Sequence, residues 1–138
     1  MAYQEEFVLT TGGEGDIVDI TPAVRRCVGN SGIDGGVCSL FVVGSTAALT
    51  TIEYEDGVLD DLREALERVA PKDAVYAHDR RWGDGNGRSH VRASLVGPAL
   101  TLPVRDGAPV LGTWQQVVLL ELDVRPRRER TVVCTVLP

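Results

Sequence analysis

A chain of 138 residues with a net charge of −6, 43% hydrophobic and 25% charged, is long enough to bury a core and ordinary enough in composition to be one globular domain. The acidic balance argues against a nucleic-acid partner, because neutralising phosphates needs a basic surface. No apolar run reaches the length of a membrane span and Met1–Glu6 carries no basic or apolar leader, so a cytoplasmic protein without a membrane partner is expected.

Residues 3–11 read as a strand ending at Gly12-Gly13, and Asp16–Ile20 as a second short stretch. Thr21 as N-cap and Pro22 at the first helical position then start a helix. Val24, Cys27 and Val28 share its apolar face, and it stops near Gly29–Gly32. Residues 37–43 form a continuous apolar run, expected as a strand covered on both sides. Gly44-Ser45-Thr46 interrupts that run, and Ala47–Glu53 resumes as a strand. Between 57 and 70 the apolar positions 58, 59, 62, 65, 66 and 69 describe an amphipathic helix, with Asp56 as N-cap and Pro71 beyond its end.

After a polar loop, residues 89–96 are expected to make one or two helical turns ending at Gly97-Pro98. Residues 99–104 read as a strand and Arg105-Asp106-Gly107 as a hairpin turn. The longest strand candidate, 110–123, is broken in its first half by Gly112-Thr113-Trp114-Gln115, and 131–137 is a final strand. The fold expected is α+β and β-dominated: two packed, mainly antiparallel sheets, sandwich-like, with two main helices in a single domain over 1–138. The three cysteines, Cys27, Cys38 and Cys134, lie in apolar runs without a Cys-x-x-Cys spacing and are expected as buried thiols.

Chemistry concentrates between His78 and Gly97, which holds both histidines, glycines at 83, 85 and 87, and Asp79, Asp84, Asn86, Arg88 and Ser89. Imidazole is the commonest neutral metal ligand, and alternating glycines let backbone approach a ligand closely. His78, His90 and one carboxylate would suit a divalent cation, although a solvated loop with two incidental histidines fits the residues as well. Ser45, Thr46, Thr113 and Gln115 lie in the other polar interruptions of apolar runs. Glu53, Glu55 and Asp56 gather where a strand ends, as a helix-start cluster or as ligands. Arg125, Arg127, Arg128 and Arg130 form a local basic cluster, either for a phosphate group or simply solvated.

Several motifs together carry a resemblance. Gly-Ser-Thr-Ala-Ala-Leu-Thr-Thr-Ile-Glu (44–53), His78-Asp79, Ser-His-Val-Arg-Ala-Ser-Leu-Val-Gly (89–97), Leu-Pro-Val (102–104) and Leu-Gly-Thr-Trp-Gln-Gln (111–116) follow in order along nearly the whole chain. In this the chain resembles the YjbQ-like family, also known as secondary thiamine-phosphate synthases. The resemblance implies a homotrimer with a polar site near subunit contacts, where histidines hold a metal ion and phosphate-like anions bind. It implies a transferase that joins a pyrimidine pyrophosphate to a thiazole phosphate, or more broadly an enzyme acting on a small phosphorylated molecule.

On that basis His78, His90 and Asp79 are the candidate catalytic residues, and His78, His90 and Glu53 the candidate ligands for zinc or magnesium. Ser45, Thr46, Asn86, Arg88, Thr113 and Gln115 are the candidate contacts to substrate or anion. Many members carry His-Thr-Ser-Ala where this chain has Gly44-Ser45-Thr46-Ala47, which puts the metal in question. A non-catalytic metal- or anion-binding trimer and a metal-assisted phosphate-ester hydrolase are the alternative expectations.

Overall fold

Apolar residues at alternate positions, or in unbroken runs, set out eight strands in the computed structural model of the chain, which describes residues 1–138. The strands are β1 (Tyr3–Thr11), β2 (Ile17–Asp19), β3 (Gly36–Val43), β4 (Ala47–Ile52), β5 (Ala99–Arg105), β6 (Ala108–Pro109), β7 (Gln116–Glu121) and β8 (Arg128–Leu137). Four helices are interleaved: α1 (Thr21–Ser31), α2 (Asp56–Val69), α3 (Ala77–Trp82) and α4 (Gly87–Val96). The strands form two sheets, ordered β1-β8-β3-β5-β6 and β2-β7-β4, with every pairing antiparallel. The α+β, β-dominated architecture of two packed sheets is as expected. It has more helix than the two main helices anticipated, since α4 runs ten residues and α3 precedes it.

The sheets face each other across a core built from alternate residues: Cys38, Leu40 and Val42 of β3, Val132, Cys134 and Val136 of β8, and Leu49, Val117 and Leu119 of the second sheet. Val24, Cys27 and Val28 of α1 close one end of it. A second core lies on the opposite face of β2-β7-β4, where Ala48, Val118 and Leu120 meet Leu59 of α2 and Ala93 of α4. The smaller sheet is therefore the middle of three layers, and nearly every side chain of β7 is buried. Each such apolar side chain is worth about 1.5–3 kcal/mol relative to exposure.

This arrangement corrects the expectation for residues 37–43. β3 is covered on one face only, and Phe41 and Val43 stand on the open face at 46% and 53% exposure. The strand covered on both sides is β7. Caps shift by one residue from those expected. Ile20 occupies the N-cap position of α1, while the Thr21 hydroxyl accepts the Val117 N–H at 2.8 Å. Glu55 rather than Asp56 caps α2, its carboxylate accepting from the N–H groups of Gly57 and Val58. The 105–107 hairpin turn is as read, with positive φ at Asp106 (53°) and Gly107 (72°).

The cysteine expectation is also corrected. Cys27 of α1 and Cys134 of β8 are joined in a disulfide, with Cα atoms 6.8 Å apart, because the apolar runs that hold them converge in one core. Cys38 stays a thiol, its sulfur 3.5 Å from Cys134 Sγ, and burial pushes its pKa up to about 11. Thiol titration of the chain unfolded in guanidinium should therefore find a single reactive thiol without reductant and all three after reduction. Three reactive thiols without reductant would refute the pairing.

Candidate functional site

α3 and α4 meet at a tight turn that is the centre of the polar region. Gly83 ends α3 in the left-handed conformation (φ 68°) and returns its N–H to the Asp79 carbonyl at 2.7 Å. Gly87 lets the helices close, since a Cβ there would sit 2.5 Å from Cβ of Tyr76 and 3.0 Å from Oδ1 of Asp79. Two carboxylates are fixed by the turn's own backbone: Asp79 Oδ1 accepts the Gly87 N–H at 2.8 Å, and Asp84 Oδ1 accepts the Asn86 N–H at 3.1 Å. Both face His78. Its Nδ1 lies 3.4 Å from Asp84 Oδ1 and 3.7 Å from Asp79 Oδ1.

Nδ1 of His78 is buried and has no hydrogen-bond partner. A buried polar atom is normally satisfied, and one left between two carboxylates calls for an explanation such as a bound ion. The ligand atoms of His78, Asp79 and Asp84 all fall within 4.8 Å of one another. One imidazole nitrogen and two carboxylate oxygens are a donor set that divalent transition ions accept. The His90 ring packs against that of His78, with centroids 4.5 Å apart and planes tilted by 45°.

His90 also lines a neighbouring pocket of about 300 Å³ with no apolar residue in its wall, bounded by Gly44, Ser45, Thr46, Asp84, Asn86, Asp123, Arg125, Arg128 and Arg130. Asp123, 1% exposed, is its hub. Oδ2 accepts from the Thr46 hydroxyl (2.9 Å), the Asn86 amide (3.2 Å) and Arg128 (2.6 Å), and Oδ1 accepts the Arg125 N–H at 2.9 Å. Behind it Arg130, itself 1% exposed, donates from Nε to Glu121 at 2.7 Å and from Nη2 to the same carboxylate.

Burial by itself would raise the carboxyl pKa values of Glu121 and Asp123. For Glu121 the hydrogen bonds from Arg130, the Asp123 N–H and Thr11 outweigh burial and hold the group below the usual range. For Asp123 the Arg125 N–H, Asn86, Thr46 and the Arg128 charge do the same. Gly44, at φ 143°, leaves room for the guanidinium of Arg130, whose Nη1 would lie 2.9 Å from a Cβ at that position.

The structure brings His78, Asp79 and His90 together, with Ser45, Thr46 and Asn86 around the adjoining pocket. Thr46 and Asn86 are held by Asp123 and give that pocket its shape. Arg88 is corrected. It makes a two-pronged pair with Glu14 (2.7 and 2.8 Å) and a third bond to the Gly85 carbonyl, so its charge is already matched. Glu53, Thr113 and Gln115 are corrected as well, because the β4–β7 register places Ile52 opposite Gln116 and Ala47 opposite Glu121. The Glu53 end of that ladder is thus roughly 17 Å along the strands from the Gly44–Thr46 end. Glu53 lines a separate pocket with Tyr54 and Trp114, and Gln115 donates to Thr51 at 3.0 Å.

Asp84, Asp123, Glu121 and Arg130 are the site residues that the sequence reading did not single out. Asp84 lay in plain view inside the histidine loop, and Arg130 in the basic cluster. Nothing local marked Glu121 or Asp123, which a run of apolar residues precedes.

A model of the family described as "UPF0047 protein YjbQ-like" matches residues 5–138. The UPF0047 protein of Archaeoglobus fulgidus is 38% identical over 128 residues, covering 93% of this chain and 97% of that protein. The UPF0047 protein YjbQ of Salmonella typhimurium is 31% identical over 122 residues, covering 88% of each. Among solved structures, a YbjQ-like protein of unknown function from Sulfolobus solfataricus superposes with a TM-score of 0.86 at 34% identity, covering 99% of both chains. An uncharacterized conserved protein of the same family from Clostridium acetobutylicum gives 0.85 at 32%, covering 96% of this chain and 99% of that one.

These findings overturn the function that the resemblance implied. Relatives this similar are described by family alone or as of unknown function, and none of those descriptions names a thiamine-phosphate synthase or transferase activity. What sequence, motif order and fold establish together is membership: the chain belongs to the YjbQ-like UPF0047 family.

Proposed function

We propose that this chain is a binding protein for a divalent cation, held by His78, Asp79 and Asp84, with a small phosphate-type oxyanion taken up in the adjoining arginine-lined pocket. The observation that carries the reading is the buried, unpartnered Nδ1 of His78 between two carboxylates fixed by backbone N–H groups. Zinc suits an imidazole-containing set better than magnesium does, because magnesium prefers an all-oxygen shell. Such an ion would supply fixed positive charge beside the pocket. His90 packs against the His78 ring and lines the pocket, so it is the side chain that joins the two sites. Arg125 and Arg128 flank the pocket mouth, and Ser45 adds an exposed hydroxyl. The homotrimer implied by the family resemblance is part of the proposal. It is supported by the open face of the larger sheet, where Val8, Phe41 and Val43 are exposed.

Calorimetric titration of zinc into the metal-free chain tests the reading. One site per chain is expected, weakened at least about tenfold in Asp84→Asn, a change that keeps the side chain's size and removes its charge. An affinity unchanged by Asp84→Asn would contradict the assignment.

A further inference from the structure

Arg130 is 1% exposed, yet its hydrogen bonds leave out one of its nitrogens. Nε donates to Glu121, and Nη2 donates to Glu121, to the Thr46 hydroxyl at 2.8 Å and to the Thr46 carbonyl at 3.1 Å. Nη1 makes no hydrogen bond within the chain. A buried guanidinium normally spends its N–H groups, so the pair on Nη1 calls for an acceptor from outside. Nη1 is also the atom that a Cβ on residue 44 would meet, at 2.9 Å. Gly44 and Arg130 both line the polar pocket. The missing side chain of Gly44 thus leaves a gap in the pocket wall with an unused donor behind it.

We infer that this gap is the seat of the oxyanion, with Arg130 Nη1 as its buried anchor and Gly44 as the residue that decides its access. The inference rests on the proposed reading of the pocket and names the contact at its centre. A terminal oxygen enters beside Gly44 and accepts from Nη1, a charge-assisted bond in a position of low dielectric. Ser45, Arg125 and Arg128 line the remainder of the pocket around the ion. Glu121 already matches the charge of Arg130, so Arg130 selects through N–H groups held in a fixed direction, and the outer arginines supply charge. Both carboxylates in the wall are committed. Asp123 accepts from Thr46, Asn86, Arg128 and the Arg125 N–H, and Asp84 belongs to the cation set.

The test is NMR of the arginine guanidinium groups while the full chain, metal-free and zinc-loaded, is titrated with inorganic phosphate. The spectrum of Arg130→Lys identifies the Arg130 signals. Phosphate is expected to bind saturably and to move the Arg130 Nη signals along the same curve as the Ser45 amide. Gly44→Ala, which sets a methyl group against Nη1, should weaken phosphate at least about tenfold, the scale of one charge-assisted hydrogen bond. Alanine is also strained at φ 143°, so the wild-type Arg130 signals are the deciding readout. Saturable binding that moves only Arg125 and Arg128 would overturn the inference while sparing the pocket as an oxyanion site, and so would an affinity unchanged in Gly44→Ala. No saturable binding in either form would overturn both.

Discussion

Replacing Glu121 with glutamine is expected to destabilise the fold by about 3–5 kcal/mol, measured as a fall in the urea unfolding midpoint at neutral pH. Glu121 is 0% exposed and Arg130 is 1% exposed, and the carboxylate also accepts from the Thr11 hydroxyl at 2.7 Å and the Asp123 N–H at 3.0 Å. Glutamine keeps the shape and one acceptor oxygen, but leaves a guanidinium buried without a counter-charge. The cost comes from stranding that charge rather than from losing a favourable pair. The double replacement Glu121→Leu with Arg130→Met should accordingly recover much of the loss, because apolar residues of similar volume often replace buried ion pairs without penalty.

The same residues set the acid response. The carboxyl pKa values of Glu121 and Asp123 are held low in the folded chain: burial raises them, and the hydrogen bonds they accept outweigh it. A carboxyl whose folded pKa is depressed contributes its full stabilisation above the unfolded value, about 4 for these groups, and loses it as pH falls through the folded value. Stability should hold between pH 7 and pH 5 and then drop steeply toward pH 2. In Glu121→Gln the drop should be shallower, since one of the two carboxyls responsible is gone. An equally steep acid transition in the variant would show that the linkage lies elsewhere.

His78→Ala is expected to lower zinc affinity at least about a hundredfold while leaving thermal stability of the metal-free chain within about 1 kcal/mol of wild type. The side chain is partly exposed and its Nδ1 makes no hydrogen bond, so removing it forfeits little of the fold. His90→Ala should give a smaller loss of zinc affinity, because His90 stacks on His78 without belonging to the converging set. Equal losses in the two variants would mean that His90 is itself a ligand.

Most elements were legible in the sequence because their signals are local. The alternation in β1, the apolar positions of α2 and the Asp-Gly turn at 106–107 each announce themselves within a dozen residues. α3 was missed because Ala-His-Asp-Arg-Arg-Trp buries nothing and so has no apolar face to detect. The coverage of β3 was misjudged because its outward residues, Phe41 and Val43, are as apolar as its inward ones.

The site divided along the same line. His78, Asp79 and His90 lie close together in sequence, on α3 and the start of α4, so a local reading groups them. The matching of Arg88 by Glu14, 74 positions away, and the placing of Thr113 and Gln115 at the far end of the β4–β7 ladder depend on pairing that no local pattern encodes. The disulfide is a contact of that kind too, linking residues 107 positions apart.

The most direct measurement is anomalous diffraction at the zinc edge from crystals of the chain grown with zinc. The expected result is one strong peak per chain within bonding distance of His78 Nδ1 and the Asp79 and Asp84 carboxylates, absent in crystals of His78→Ala. No peak there at full zinc occupancy elsewhere on the surface, or a peak that survives His78→Ala, would contradict the assignment of α3 and its turn into α4 as a cation site.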